Sequence, residues 1–227
     1  NPFVSKSIWD ACGDEPAPLM GELVGVGLDL SARADLTAAV ITFDRDDLKH
    51  VHSYFWMPEQ GIHEKSRRDR VPYDLWAEKG FIRTTPGGSV DYEYVVADLA
   101  DIFSDCTPAQ VMFDRWRMDV FQKEMERAGV DWPMEPHGQG YKDMSPALDA
   151  LEADLLNGRL RHGMNPVLTM CAANAVVTRD PAGNRKLDKH KANGRIDGMV
   201  ALAMSVNCDI QPRGSLDDWL ADPVVIT

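Results

Sequence analysis

The chain has 227 residues, 44% apolar side chains, four cysteines and a net charge of −12. That is enough apolar mass for one large core or two small ones. No apolar run reaches the roughly 18–20 residues that span a bilayer, and Asn1-Pro2-Phe3-Val4-Ser5-Lys6 opens no signal peptide. Cys12, Cys106, Cys171 and Cys208 form no Cys-x-x-Cys pair, which removes zinc-site spacing and favours free thiols.

Residues 1–20 read as a linker, punctuated by Pro2, Gly13, Pro16 and Pro18. With no initiator Met, that start reads as a piece of a longer protein. Residues 21–210 read as one domain, and 211–227 as a tail. Leu23 to Ser31 (Leu-Val-Gly-Val-Gly-Leu-Asp-Leu-Ser) is an apolar strand carrying one carboxylate, Asp29. Leu36 to Phe43 follows as a hairpin partner, and Leu48 to Trp56 as a third strand, making a meander.

Residues 58–90 look irregular around the charged run 63–70, with Pro72 breaking or starting a helix. Asp91 caps a helix with Val95, Leu99, Ile102 and Phe103 at helical spacing. Pro108 to Asp114 is a short strand ending in a second carboxylate. A helix over 117–128 turns Val120, Phe121 and Met125 inward and stops at Gly129. Ser145-Pro146 reads as the opening of another helix, and Asn165-Pro166 as that of the next.

Residues 176–188 form a basic β-hairpin expected to protrude, and a last helix starts near Arg195 and carries Asp197. Between Arg159 and Arg195 stand eight Lys or Arg against Asp180 and Asp188, a +6 segment in an acidic chain. Such a strip meets phosphate through its local potential even when the whole molecule is negative. The order of elements gives an α/β fold: one mixed β-sheet with helices on both faces.

Asp29, Asp114 and Asp197 are the acids that chemistry needs together. If the first and fourth strands are neighbours, Asp29 and Asp114 approach, and a crossing helix brings Asp197 opposite. Three carboxylates at about 4 Å repel by about 4 kcal/mol per pair at an effective dielectric near 20. A hard divalent cation, Mg²⁺ or Mn²⁺, offsets that repulsion. For Asp29 alone, a turn cap is the plainer alternative. Lys189, His190, Lys191 and Arg195 are placed to hold phosphate or to form an exposed loop. Arg179, Arg185 and Lys186 put positive charge on the hairpin, either for contact with phosphate or as a solvated loop. His137 and His162 are candidates near a leaving group. Arg115 and Arg117 are candidates for the DNA backbone or for local ion pairs, and Trp116 reads as core.

In this setting the sequence resembles the nuclease domain of tailed-bacteriophage large terminase subunits. The matching stretches include Gly25-Val26-Gly27-Leu28-Asp29-Leu30-Ser31, Val71-Pro72-Tyr73 with Trp76, and Gly80-Phe81-Ile82-Arg83-Thr84-Thr85-Pro86-Gly87. They continue through Phe113-Asp114-Arg115-Trp116-Arg117, Asn157-Gly158-Arg159-Leu160-Arg161-His162, Asn165-Pro166 and Arg195-Ile196-Asp197-Gly198. The resemblance implies an RNase H-like fold and a two-metal endonuclease cutting concatemeric viral DNA. It implies Asp29, Asp114 and Asp197 as metal-binding acids, with Asp35 as an auxiliary acid or a simple turn residue. A terminase ATPase domain, small subunit and portal are the implied partners, and the host cytoplasm the implied location. No Gly-x-x-x-x-Gly-Lys-Ser/Thr loop occurs, so the ATPase half is not in this chain. Two other readings compete: a non-catalytic portal or DNA docking module, and an actin-like nucleotide fold, which lacks a second Gly-rich hairpin here.

Overall fold

A computed structural model describes residues 2–30, 35–115 and 118–210. The expected Trp116, Arg117, Ser31 and the tail 211–227 lie outside the described residues. In chain order the elements are α1 (Lys6–Ala11), β1 (Leu23–Asp29), β2 (Thr37–Arg45), β3 (Leu48–Pro58), α2 (Ile62–Asp69) and α3 (Tyr73–Glu78). Then come β4 (Arg83–Thr85), α4 (Tyr92–Ile102), β5 (Thr107–Phe113), α5 (Met118–Ala128), β6 (Met134–Pro136) and α6 (Tyr141–Leu156). The chain closes with β7 (Leu160–Arg161), α7 (Pro166–Asn174), β8 (Val177–Arg179), β9 (Arg185–Leu187) and α8 (Asp197–Val206).

Among the described residues seven strands form one mixed sheet in the order β4-β3-β2-β1-β5-β6, with β7 beside β3. β1, β2 and β3 are the expected antiparallel meander, and β5 joins β1 in parallel. Side-chain alternation along β1 splits its residues between two cores. Val24, Val26 and Leu28 face α4 and α5, packing with Val95, Leu99 and Phe121. Gly25, Gly27 and Asp29 face the other way, toward α8.

Those two glycines explain why α8 lies so close to the sheet. A Cβ on Gly25 would stand 2.6 Å from Cys208 Cβ and 2.9 Å from Ser205 O. One on Gly27 would overlap the carbonyl oxygen of Ala201. The absence of side chains lets helix backbone rest on strand backbone, and Thr42 Oγ1 fastens the contact by donating to Ser205 O at 3.1 Å. α8 is consequently buried from Gly198 to Ser205. That explains its nearly all-apolar sequence where an amphipathic stripe would otherwise be expected.

The structure departs from the sequence reading in four places. Residues 2–20 are no loose connector: α1 carries Trp9 into the core with Phe3 and Cys12. Trp9 stacks on His162 with ring centroids 3.9 Å apart, and its Nε1 donates to Thr169 Oγ1 at 3.1 Å. Trp9→Ala is therefore expected to cost about 3–5 kcal/mol, read as a lower urea midpoint with the slope unchanged. Second, 58–90 is ordered into α2, α3 and β4, held by burial of Ile62, Tyr73 and Ile82. Third, Ser145-Pro146 does not open α6, which starts after Gly140. Pro146 sits in the second turn, where only one intrahelical bond is forfeited, and Ser145 Oγ accepts from Arg185 N at 3.1 Å. Fourth, Val120 is exposed, while Phe121 and Met125 are buried as expected.

Asp91 caps α4 by accepting from Glu93 N at 3.0 Å, and Asn165 caps α7 through Val167 N and Leu168 N. Among the described residues no helix is long and apolar enough to cross a membrane.

Candidate active site

β1 and β5 run parallel with Leu28 beside Phe113, so the next residue of each, Asp29 and Asp114, leaves the sheet at the same edge. Leu28 and Phe113 share the α4–α5 core, and alternation puts both acids on the opposite, α8 face. Asp197 arrives through a matched spacing. Gly25 lies under Ser205 and Gly27 under Ala201. Two further strand residues advance about 6.6 Å to Asp29, and one further helical turn retreats about 6 Å to Asp197. The glycine contact thus sets an acid on the helix against an acid on the strand.

A single ammonium joins them. Lys189 Nζ lies 2.7 Å from Asp29 Oδ2 and 3.2 Å from Asp197 Oδ1. Asp29 is 3% exposed. Burial, followed by the charges of Asp197 and Asp114, pushes its carboxyl up to about 7 against the opposing pull of Lys189. For Lys189 burial pulls downward, but Asp29 and Asp197 outweigh it and raise the ammonium above its ordinary range. Among the described residues no three His, Cys, Asp or Glu side chains enclose a metal-sized space. Lys189 occupies the gap between two of the three acids.

Beside these acids opens a cleft of about 590 Å³, lined by Asp35, Asp69, Tyr73, Asn174, Lys189, Arg195 and Asp197 among others. Arg195 forms its wall. Its Nη1 lies 2.6 Å from Asp35 Oδ1, its Nη2 3.4 Å from Asp69 Oδ2, and its Nε donates to Tyr73 Oη at 3.1 Å. Burial lowers this guanidinium, yet Asp35 and Tyr73 raise it further. Arg195 thereby meets three protein partners inside the cleft that its sequence neighbours do not reveal. Asp35 is likewise engaged by Arg195 and by Lys65 at 3.4 Å. Burial pushes its carboxyl up, but those two cations hold it below the usual range. It joins the cleft as the anchor of Arg195.

The basic hairpin also departs from expectation. β8 and β9 pair as foreseen, but Arg185 is buried at 7%. It bonds Asp149 and reaches Glu152 Oε2 at 2.9 Å on α6. Asp149 and Glu152, on the partly exposed flank of α6, hold this arginine as a strut, and its burial leaves little guanidinium surface for the expected DNA contact. Lys186 lies over the Tyr141 ring at 5.0 Å. Arg179 is exposed. Lys191 is exposed as well, 3.7 Å from Asp188. Arg115 is exposed next to Asp114 in the chain.

Of the two histidines, His162 is structural: Nε2 pairs with Trp9 O at 2.9 Å and Nδ1 accepts from Met164 N at 3.2 Å. His137 lies nearer the candidate acids. β6 runs parallel to β5 with Phe113 beside Pro136, so His137 follows at the same edge as Asp114. Its backbone N donates to Phe113 O at 2.8 Å, and burial lowers its imidazole. A three-residue edge strand such as β6 leaves no periodic signal, and the sequence alone could not pair these two residues.

A mixed sheet in this strand order, flanked on both faces and bearing acids at the carboxyl ends of two central parallel strands, is the RNase H-like architecture of terminase nuclease domains. Solved structures agree. The chain matches the crystal structure of the HK97 bacteriophage large terminase with a TM-score of 0.87 and 55% identity, over 91% of this chain and 43% of that one. It matches the large terminase nuclease of thermophilic phage G20c, crystallised with bound magnesium, at a TM-score of 0.58 and 15% identity, over 91% and 96%. The same nuclease with bound cobalt matches at 0.58 and 14%. In sequence, the large terminase subunit of Enterobacteria phage HK97 is 52% identical over 229 residues, covering 99% of this chain and 45% of that protein. A family profile described as "Terminase large subunit, endonuclease domain" matches residues 1–210.

The chain belongs to the terminase large subunit endonuclease domain family. It spans about half the length of the curated relatives it matches.

Proposed function

We propose that this chain is the DNA-cutting domain of a phage genome-packaging terminase, a metal-dependent endonuclease that hydrolyses phosphodiester bonds of concatemeric duplex DNA and leaves 5′ phosphates. Asp29, Asp114 and Asp197 are the proposed ligands of two divalent ions, Mg²⁺ or Mn²⁺. The observation that carries the reading is the Lys189 ammonium bridging Asp29 and Asp197. The gap it fills already holds a cation between two carboxylates, and an all-oxygen donor set suits a hard divalent ion. The nuclease of phage G20c, alike in fold, was crystallised with magnesium and with cobalt. Bound at these acids, a pair of such ions supplies Lewis-acid activation of the attacking water and stabilisation of the leaving 3′ oxygen.

The protein's own part is to position. Burial of Asp29 keeps water off one ligand, and the β1–β5 pairing fixes Asp29 against Asp114. The Asp35–Arg195–Asp69 bridge holds the cleft wall where the substrate backbone would lie. Lys189 and Lys191 are proposed to face that backbone, with Arg179 and Lys186 of the hairpin farther out. The partners proposed are the terminase ATPase domain, the small subunit and the portal, and the location is the host cytoplasm.

Incubation with supercoiled plasmid tests the proposal. Relaxed and linear products are expected in Mg²⁺ and Mn²⁺ and none in EDTA. Intact plasmid under all conditions, with no Mn²⁺-dependent thermal shift, would identify a docking module instead.

A further inference from the structure

Lys189 is the least explained feature of the site. A lysine bonded to two acids that are themselves proposed to bind metal is, on its face, an obstacle. Its ammonium and a divalent ion compete for one gap: Lys189 Nζ already stands between Asp29 Oδ2 and Asp197 Oδ1, at 2.7 and 3.2 Å, and two cations packed there would repel each other. The backbone around Lys189 is anchored. Asp188 N donates to Val176 O at 2.9 Å, and Asp188 Oδ1 accepts from His190 N and Lys191 N at 3.0 and 3.1 Å. Farther along, Asn174 Nδ2 donates to Arg195 O at 3.2 Å. The side chain itself is half-exposed, at 49%, on a flexible four-carbon stem. It can leave the acids by side-chain rotation while the loop stays in place.

We infer that Lys189 is an internal counter-ion that occupies the Asp29–Asp197 pair until a divalent cation displaces it, and that it thereby sets the metal affinity of the site. This rests on the metal-binding reading above. The ammonium keeps a buried Asp29 from standing uncompensated, which would otherwise cost several kcal/mol. It brings one positive charge where a divalent ion brings two, so exchange is favourable once the ion is abundant. Lys189 on this account competes with the metal: it neutralises the acid pair while the site is empty and is absent from it when the site is loaded.

Calorimetric titration of Mn²⁺ into the 227-residue chain and its Lys189→Met variant tests the inference. The variant is expected to bind Mn²⁺ at least about tenfold more tightly and to melt at lower temperature when metal-free. A purely structural lysine would instead weaken binding when removed. Equal or weaker Mn²⁺ binding by the folded variant overturns the inference and leaves the metal-site reading intact. No Mn²⁺ heat from the wild-type chain overturns both. A second measurement needs no variant: amine labelling of Lys189, read by mass spectrometry, is expected to speed up when Mn²⁺ is added. Labelling that is unchanged or slower overturns the inference.

Discussion

Asp29→Asn is expected to lower Mn²⁺-dependent nicking of supercoiled plasmid by at least about a thousandfold, equivalent to about 4 kcal/mol of barrier. Asn keeps the shape of the side chain and one oxygen but removes the charge that a divalent ion needs. The folded state should tolerate the change. Asp29 is buried, and its carboxyl is pushed up to about 7 because that environment penalises the ionised form. A neutral amide escapes that penalty, and Lys189 keeps Asp197 as its partner. The melting temperature is expected to stay within a few degrees of wild type, or to rise. Rapid nicking by a folded Asp29→Asn protein would remove this acid from the chemistry and with it the core of the proposed site.

Gly27→Ala should be the most damaging change that adds only a methyl group. The new Cβ overlaps the Ala201 carbonyl oxygen and stands 2.8 Å from Ser205 N. Both are helix backbone, which cannot rotate aside as a flexible side chain does. α8 must lift from β1, opening the contacts of Ala201, Leu202 and Met204 with the core. Overpacking of this kind costs about 1–3 kcal/mol, and the backbone origin of the clash puts it at the upper end. The lift also draws Asp197 away from Asp29. Urea unfolding should therefore show a lower midpoint, and nicking should fall by more than stability alone explains when both are measured well below the melting temperature. Unchanged stability would mean that β1 and α8 do not meet as closely as described.

Much of this was legible in the residues. The meander followed from turn-punctuated apolar runs, α4 from Asp91 and its spaced apolar positions, and β5 from a short apolar run ending in Asp114. Asp29 could be singled out because a carboxylate in an otherwise apolar strand demands a partner. What stayed hidden depends on contacts far apart in sequence. Nothing local marks Trp9 as core, since α1 is six residues long and earns its burial only by meeting His162 and Thr169. β4, β6 and β7 are two or three residues each and exist because a neighbouring strand offers hydrogen bonds. The partners of Arg185 and Arg195 stayed hidden because charge is visible in a sequence and its neighbours in space are not. Asp149 and Glu152 claim the one, Asp35 and Asp69 the other.

The stacking of α8 on two glycines also says where this chain can tolerate insertions. The loop from Asp188 to Ile196 is tied at both ends, by Lys189 on the two acids and by Arg195 on Asp35 and Asp69, so a change of length fits only between those two residues. Between Asp197 and Ala201 nothing can be added or removed: one extra residue there would turn the acid by about 100° around the helix. It would then face away from the strand acid it must meet.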